Sequence, residues 1–159
     1  MMLIKCFIIA TLIFAGIESV SNKDFVLKPI QNQNGKWGYV NESGRCMIPP
    51  VFDEAYNFCD NLARVKTCGK YGYINKNGKY VISAKFINAR DFSDCLAAVM
   101  VIEKGRNLWG YINTNGCFVI CPQFTTAGDF SAGLANVKIN GNEYLINDWG
   151  EVRKIIKGH

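Results

Sequence analysis

The sequence predicts an all-β domain of tandem repeats of about 34 residues, whose short antiparallel strands and hairpins stack as a solenoid-like or curved array. Two observations predict this fold. Segments with the same aromatic, glycine and turn residues begin at positions 37, 71 and 109, and a degraded copy begins at 143, so the starts are almost evenly spaced. Each of the first three begins with residues that alternate between two faces, as in a half-buried strand. No helical period of useful length follows Ser21.

The segment 1–21 is typical of a secretory signal peptide. Lys5 supplies a positive charge, the segment 6–17 (CFIIATLIFAGI) forms an apolar run, and Ser19-Val20-Ser21 offers small residues for cleavage. The run is shorter than the ~20 residues of a membrane-spanning helix, so we expect no stable span after cleavage; an uncleaved anchor is the alternative. The remaining chain is long enough for one domain with its own core. We expect a secreted, periplasmic or cell-surface protein.

The repeated segment opens with an aromatic residue, a glycine and a tyrosine, and closes with an Asn-x-x-Gly turn. The opening residues are Trp37-Gly38-Tyr39, Tyr71-Gly72-Tyr73 and Trp109-Gly110-Tyr111, and the turns end at Gly44, Gly78 and Gly116. Asn at the first turn position bonds to the backbone of the turn, and Gly at the last supplies a positive φ. A second strand then returns, so each unit begins with a β-hairpin.

The match between units continues beyond the hairpin. Each of the first three units has Phe-x-x-Ala, a further Phe, and then Leu-Ala-x-Val at the same offsets from its start. The further phenylalanines are Phe58, Phe92 and Phe130. We expect Phe-x-x-Ala to form a turn or short strand and Leu-Ala-x-Val to form a strand that leads into the next unit. The second unit is longer than the others, and its extra residues fall within Met100 to Leu108, where we expect a longer connection.

The offsets divide the mature chain into consecutive parts. Residues 22–34 are an N-terminal capping strand, and the three units are 35–68, 69–107 and 108–142. Residues 143–159 are a partial capping unit, which loses the aromatic and glycine at its start and stops after its turn. Terminal repeats that differ from the middle are typical of stacked arrays, because one hairpin cannot bury a face alone. The glycine after each aromatic indicates a close backbone approach, and we expect an aromatic ring of a neighbouring unit to pack over it.

These residues resemble the WG-repeat family, whose units read roughly K-W-G-Y-I-D-x-x-G, followed by V-I-P-P, Y/F-x-x-A and F-S-x-G-L-A-x-V. The resemblance covers residues 35 to 150. It departs at Tyr71, which replaces Trp, at the turn asparagines that replace Asp, and at Ser83-Ala84, which replaces the Pro pair. It implies short antiparallel strands in tandem units and a binding or structural role, generally in bacteria and often at the cell exterior. It implies no catalytic residues.

Six cysteines follow the signal segment, and an even number in an exported chain suggests disulfides. Six cysteines allow 15 connectivities, so the sequence does not choose among them. Cys59 and Cys95 fall two positions apart in adjacent units, and we predict that they bridge the stack. Cys117 and Cys121 on one strand are too far apart to pair. We expect no metal site, because there is no CxxC and no histidine within the domain.

The composition argues against several functions. The net charge of +5 comes from scattered basic residues, so we expect no nucleic-acid binding. The only histidine is the terminal His159, and no phosphate loop or nucleophile motif occurs, so we expect no enzyme, no catalytic residues and no cofactor. The acidic residues near the turns are expected to form those turns. They are Asp53, Glu54, Asp60, Asp91, Asp94 and Asp129.

A binding function remains, and the sequence leaves two kinds of ligand open. In the first, a monomer binds an unknown protein or cell-envelope ligand through turn residues that differ between units. Those residues are Glu42-Ser43, Lys76-Asn77, Thr114-Asn115 and the Met100 to Leu108 insertion. In the second, aromatic rings bind a cell-wall glycan, as the hairpins of choline-binding repeats would suggest, although those repeats are shorter. Because repeated aromatics also fill cores, we expect most rings to be buried; exposed Trp37 and Trp109 would favour the glycan.

Overall fold

The computed structural model describes residues 26–157, and every regular element within them is a β-strand. The signal segment and His159 therefore lie outside the described residues. The strands form four antiparallel sheets in which sequence neighbours pair. The first sheet contains β1 (Lys28–Gln31), β2 (Trp37–Val40) and β3 (Cys46–Phe52). The second contains β4 (Glu54–Cys59), β5 (Leu62–Thr67), β6 (Lys70–Ile74) and β7 (Tyr80–Phe86).

The last two sheets repeat the arrangement of the second. The third contains β8 (Asn88–Ala89), β9 (Leu96–Glu103), β10 (Arg106–Asn113) and β11 (Phe118–Phe124). The fourth contains β12 (Thr126–Ala127), β13 (Leu134–Ile139), β14 (Asn142–Asn147) and β15 (Val152–Lys157). The predicted all-β repeat fold is thereby confirmed. Each four-stranded sheet combines the last two strands of one sequence unit with the first hairpin of the next. The unit that folds is therefore displaced by half a repeat from the unit that the sequence displays.

The Asn-x-x-Gly segments close the outer hairpin of every sheet. In the second sheet the amide N–H of Gly78 donates to the carbonyl oxygen of Asn75 over 2.9 Å. The side-chain Oδ1 of Asn75 accepts from the backbone N–H groups of Asn77 and Lys79 over 3.0 and 3.1 Å. The glycine has a φ of +76°, which is unfavourable for other residues. The other three turns repeat the backbone bond between Asn and Gly, so the predicted role of both residues is confirmed.

The remaining hairpins of the three four-stranded sheets close with two residues that both have positive φ. The β1–β2 hairpin instead closes with Asn32 to Gly35, where the N–H of Gly35 donates to the carbonyl oxygen of Asn32 over 3.0 Å. Asp60 and Asn61 join β4 to β5 with φ angles of 49° and 64°, and Asp94 and Cys95 join the short bridge before β9 with 52° and 61°. Two such residues form the turn whose twist matches that of paired strands. Asn and Asp tolerate this conformation better than most residues. The sequence therefore places tight turns on both sides of each Leu-Ala-x-Val strand.

The glycine after each leading aromatic makes room for the backbone of the partner strand, not for an aromatic ring of a neighbouring unit. One residue of β6, Gly72, faces three residues of β7, because Tyr71 pairs with Phe86 and Tyr73 pairs with Ile82. A Cβ at position 72 would lie 2.6 Å from the backbone nitrogen of Ala84. Gly38 and Gly110 meet the bulged backbone of β3 and β11 in the same way. The expected close approach is correct, but the expectation of a neighbouring aromatic ring is wrong, because the bulge of the partner strand already fills the space.

Hydrophobic cores lie between consecutive sheets. Tyr39 of the first sheet, for example, belongs to one cluster with Val65 of the second, and Tyr73 of the second belongs to another with Val99 of the third. The turn glycines strengthen this stacking, because a Cβ on Gly78 would lie 3.1 Å from the side chain of Ile48 in the preceding sheet. Gly116 with Ile82 and Gly150 with Ile120 repeat this contact. The sheets thus cover one another's apolar faces, as the repeat predicts.

The insertion in the second unit lengthens strands rather than a loop. The strands β9 and β10 extend further than their counterparts β5 and β6. Lys104 and Gly105, both with positive φ, still make a tight turn between them. The extra residues are shared between the two strands, which preserves the pairing register. The expectation of a longer connection is therefore wrong, because paired strands satisfy the added backbone groups that a loop would leave to water.

The terminal units differ from the middle ones in their strands. β1 pairs with β2 as β5 pairs with β6, so it supplies the last strand of a preceding unit. At the other end the partial unit does not stop after its turn, because β14 and β15 pair as a hairpin. The strand β15 keeps the backbone pairing but lacks the side chains that repeat in β3, β7 and β11. The similarity between the units therefore ends before β15. Lys154 is exposed and occupies the position equivalent to Ile48, Ile82 and Ile120. Those isoleucines contact the Asn-x-x-Gly turn of the following sheet.

A glycine-to-alanine substitution tests the close approach in the second sheet. We expect Gly72→Ala to lower the free energy of unfolding by about 1–3 kcal/mol, because the new methyl group overlaps the backbone of β7. Urea denaturation measures the change. Ser83→Ala, at an exposed position of the same bulge, is the control and should change stability by less than about 0.5 kcal/mol. Equal stability of Gly72→Ala and the parent would contradict the account.

Candidate binding surfaces

Most of the repeated aromatic side chains lie in the core and are unavailable to a ligand. Tyr39, Tyr73 and Tyr111 are fully buried. Their hydroxyls donate to backbone carbonyls further along the chain, those of Tyr56, Arg90 and Gly128. Burial raises the pKa of all three phenols. Trp109 is buried and Trp37 is half-buried, so neither offers an open platform.

One aromatic ring is an exception that the sequence reading missed. Trp149 lies in the last Asn-x-x-Gly turn and is 78% exposed. Its counterparts in the earlier turns are the polar Ser43, Asn77 and Asn115. Aligning the units places a tryptophan at this turn position, and a side chain in a turn lies outside the core of its hairpin. This was the signal that could have identified Trp149 as exposed. It was hidden by the loss of the leading Trp-Gly in that unit.

Two of the acidic turn residues connect neighbouring units. The Oδ2 atom of Asp60 accepts from the backbone N–H of Cys95 over 2.9 Å. The Oδ2 atom of Asp94 accepts from the backbone N–H of Gly133 over 2.9 Å. The predicted turn-forming role is confirmed for both, and each also ties its turn to the next. Ala132 occupies the third equivalent position, so the row of carboxylates ends there.

The other acidic residues form ion pairs. Lys36 contacts Asp53 over 2.6 Å, Arg64 contacts Asp91 over 2.9 Å, and Arg90 contacts Asp129 over 3.6 Å. The carboxylate of Glu54 accepts from Lys66 over 2.7 Å and from the hydroxyls of Tyr56 and Tyr71 over 2.8 Å each. The pKa of Glu54 is lowered to about 2, and the hydrogen bond from Lys66 is the largest cause. Partial burial acts in the opposite direction and raises the pKa.

A polar groove of about 290 Å³ lies beside this network, next to the inner strands of the second, third and fourth sheets. Arg64 is its organising side chain: its Nε donates to Asp91, its Nη1 donates to the carbonyl of Ala89 over 2.6 Å, and its guanidinium stacks 3.6 Å from the ring centre of Tyr56. The groove is lined by Arg64, Asn88, Ala89, Arg90, Asp91, Trp109 and Asp129. Because both arginines are paired with aspartates, the groove carries little net charge.

A second surface is formed by the row of Asn-x-x-Gly turns, which we call the turn face (residues 41–44, 75–78, 113–116 and 147–150). The contacts of Gly78, Gly116 and Gly150 with the preceding sheet hold these turns in sequence along one end of the strands. The differing residues predicted to carry specificity lie here at exposed or half-buried positions: Glu42-Ser43, Lys76-Asn77 and Thr114-Asn115. Asp148-Trp149 continues the row.

The insertion does not belong to this surface. Its turn, Lys104-Gly105, joins β9 to β10, whereas the turn face joins β10 to β11. Successive turns of an antiparallel meander lie at opposite ends of the strands. The Met100 to Leu108 insertion therefore turns at the opposite end of the strands from the other variable residues.

Exposed apolar side chains border the turn face. The three outer strands β3, β7 and β11 share one burial pattern, in which the first two residues of each strand are exposed. Met47, Val81 and Val119 occupy one of these positions and are 41–44% exposed, and Tyr80 and Phe118 occupy the other and are 40–42% exposed. Exposed apolar side chains repeated beside polar turns are typical of a surface that binds another protein.

All six cysteines of the described chain are free. Cys59 is half-buried, and Cys95 is exposed in the turn that Asp60 contacts. Their predicted bridge is not formed here and stays a prediction. Within residues 26–157, no three side chains of the types that ligate metals lie together, and no helix has the length and hydropathy of a membrane span.

Comparison with known protein families gives three matches along the chain. The model of the WG containing repeat matches residues 37–71, 71–101 and 109–142. The matched residues include the three aromatic–glycine pairs and most of the described strands. No curated protein and no solved structure matches the chain.

The Glu54 network makes a prediction about acid stability. Because folding lowers the pKa of Glu54 from 4.5 to about 2, its contribution is complete above pH 4.5 and is lost as the pH falls to about 2. We expect the free energy of unfolding of the parent to exceed that of Glu54→Gln by about 1 kcal/mol at pH 6. This figure is reduced for the partial exposure of the carboxylate. We expect the difference to disappear by pH 2. Urea denaturation across this range measures it; a gap that does not depend on pH would contradict the network.

Proposed function

Because the chain belongs to the WG containing repeat family, we propose that it is a secreted or envelope-associated binding module that uses its turn face to hold another protein, without catalysis. The observation that carries the proposal is the combination of differing turn residues with the bordering apolar side chains Met47, Tyr80, Val81, Phe118 and Val119. A stack of sheets holds these side chains in fixed positions, so little conformational entropy is lost when a partner binds.

The position of the aromatic rings argues against the glycan alternative. A glycan-binding row needs neighbouring rings with open faces, whereas Trp109 is 8% exposed and Trp37 is half-buried. Trp149 has an open face but lies in a turn, whereas the less exposed rings of Tyr80 and Phe118 lie on the strands β7 and β11. A protein partner, in contrast, gains from the mixture of polar turns and apolar border that the turn face offers.

The proposed location rests on the segment 1–21, which has the order of a secretory signal. The proposed absence of catalysis rests on how the acidic side chains are used. Asp60 and Asp94 accept from the backbone of the next turn, and Asp53, Asp91 and Asp129 are held in ion pairs. Each carboxylate therefore has a structural partner where a general acid or base would need access to substrate.

Site-specific photocrosslinking in the native host tests the turn face. A photoreactive residue, Asn115→benzoylphenylalanine, would project from the third turn, where the side chain is exposed. We expect it to form a covalent adduct with a discrete polypeptide, visible as a mass shift of the protein and identified by mass spectrometry. The same substitution at exposed Asn77 should capture the same polypeptide, because both turns lie in one row.

Asn107→benzoylphenylalanine is the matched control, because Asn107 is an exposed asparagine at the opposite end of the strands. It should give no such adduct. Equal adducts from Asn107 and Asn115 would contradict a dedicated turn face. Retention of the protein on purified peptidoglycan, with no polypeptide adduct from either turn, would favour the glycan alternative.

A further inference from the structure

The turn face contains a pocket of about 270 Å³ at its C-terminal end. It lies where the tight turn before β9 meets the last two Asn-x-x-Gly turns. Its lining is Asp94, Cys95, Leu96, Asn113, Val119, Asp148 and Trp149. The volume is below the roughly 300–1,000 Å³ of pockets that hold drug-sized molecules, which suits a single side chain of a partner.

Two carboxylates line the pocket, those of Asp94 and Asp148. Asp94 uses Oδ2 to accept from the N–H of Gly133, and its second oxygen retains acceptor capacity. No hydrogen bond or ion pair joins the side chain of Asp148 to the described side chains of residues 26–156. The pocket is therefore locally acidic, although the whole chain carries a net charge of +5. At physiological salt the local charges dominate within about 8 Å.

Trp149 forms an aromatic wall next to these carboxylates. Its indole is 78% exposed and makes no ring contact with any other described side chain. Leu96 and Val119 add apolar surface, and Val119 is 41% exposed. An open indole face beside acidic groups attracts a cation through the quadrupole of the ring. A long apolar stem that ends in a cation would contact all of these groups at once.

We propose that this pocket binds an arginine side chain of the partner protein. Its planar guanidinium stacks on the Trp149 indole and donates to the carboxylates of Asp94 and Asp148. Arginine fits better than lysine, because a planar fork of five donors serves two carboxylates and an aromatic face together. This inference rests on the proposed function and names the chemistry that one end of the turn face recognises.

Titration with a short peptide tests the pocket directly. The probe is acetyl-Gly-Ser-Arg-Ser-Gly-amide, and its matched control contains citrulline, which keeps the planar shape and lacks the charge. The readout is the indole N–H signal of Trp149 in a ¹H–¹⁵N spectrum of the full mature chain. We expect the signal to shift with the arginine peptide and to saturate, and to remain in place with the citrulline peptide. Higher salt should weaken the binding.

Two matched variants follow from the repeat. Asp148→Asn should weaken binding about tenfold, whereas Glu42→Gln, at the equivalent position of the first turn, should leave it unchanged. Trp149→Ser installs the residue found at position 43 and should abolish the binding seen through the Asp148 and Asn113 backbone amides. Both positions are exposed, so unchanged dispersion of the remaining signals will show that these variants are folded.

Two results would overturn the inference. One is equal binding of the arginine and citrulline peptides. The other is tighter binding of tetramethylammonium than of the arginine peptide, which would assign the pocket to quaternary ammonium ligands. If the peptide fails to bind while Asn77 and Asn115 still crosslink a partner, the pocket assignment is wrong and the turn face stands. If neither is observed, the proposed function fails as well.

Discussion

The buried tyrosine after each aromatic–glycine pair is the contact on which the stack depends. Each of these tyrosines packs against the second phenylalanine of its own repeat unit, with ring centres 4.7–5.0 Å apart. Each also donates its hydroxyl to a backbone carbonyl of the following sheet. A four-stranded sheet has two faces to bury and cannot do so alone. The tyrosine supplies both apolar area and a directional bond, so it fixes the spacing and the register of consecutive sheets.

The same contact is missing from the last described sheet. In the partial last unit Leu145 replaces the tyrosine and Lys154 replaces the isoleucine that receives the next turn, and Ala132 of the third unit interrupts the row of bridging carboxylates. Three kinds of connection between sheets are therefore lost together at the C-terminal end. A charged lysine on that face opposes end-to-end association of copies.

The sequence predicted the hairpins, the Asn-x-x-Gly turns and the burial of the aromatics, because these depend on local conformation and on repeated side chains. It did not predict that sheets combine halves of two units, because a periodic sequence does not mark where its folding unit begins. Gly72 indicated a close approach in the sequence. It did not indicate that the backbone of the partner strand, rather than an aromatic ring, fills the space. The pocket at Trp149 combines three turns and required their spatial arrangement, and only the unusual residue type was visible beforehand.

The most direct test of the interlocked stack is the stability of Tyr73→Phe, which keeps the ring and removes only the hydroxyl that donates to Arg90 over 2.7 Å. Loss of this partly buried hydrogen bond costs about 1 kcal/mol of unfolding free energy, which urea denaturation measures. Tyr80→Phe is the control, because Tyr80 is 42% exposed and its hydroxyl is bonded at the surface to Thr67. The account predicts a loss for Tyr73→Phe and almost none for Tyr80→Phe. Equal stability of the two variants would contradict it.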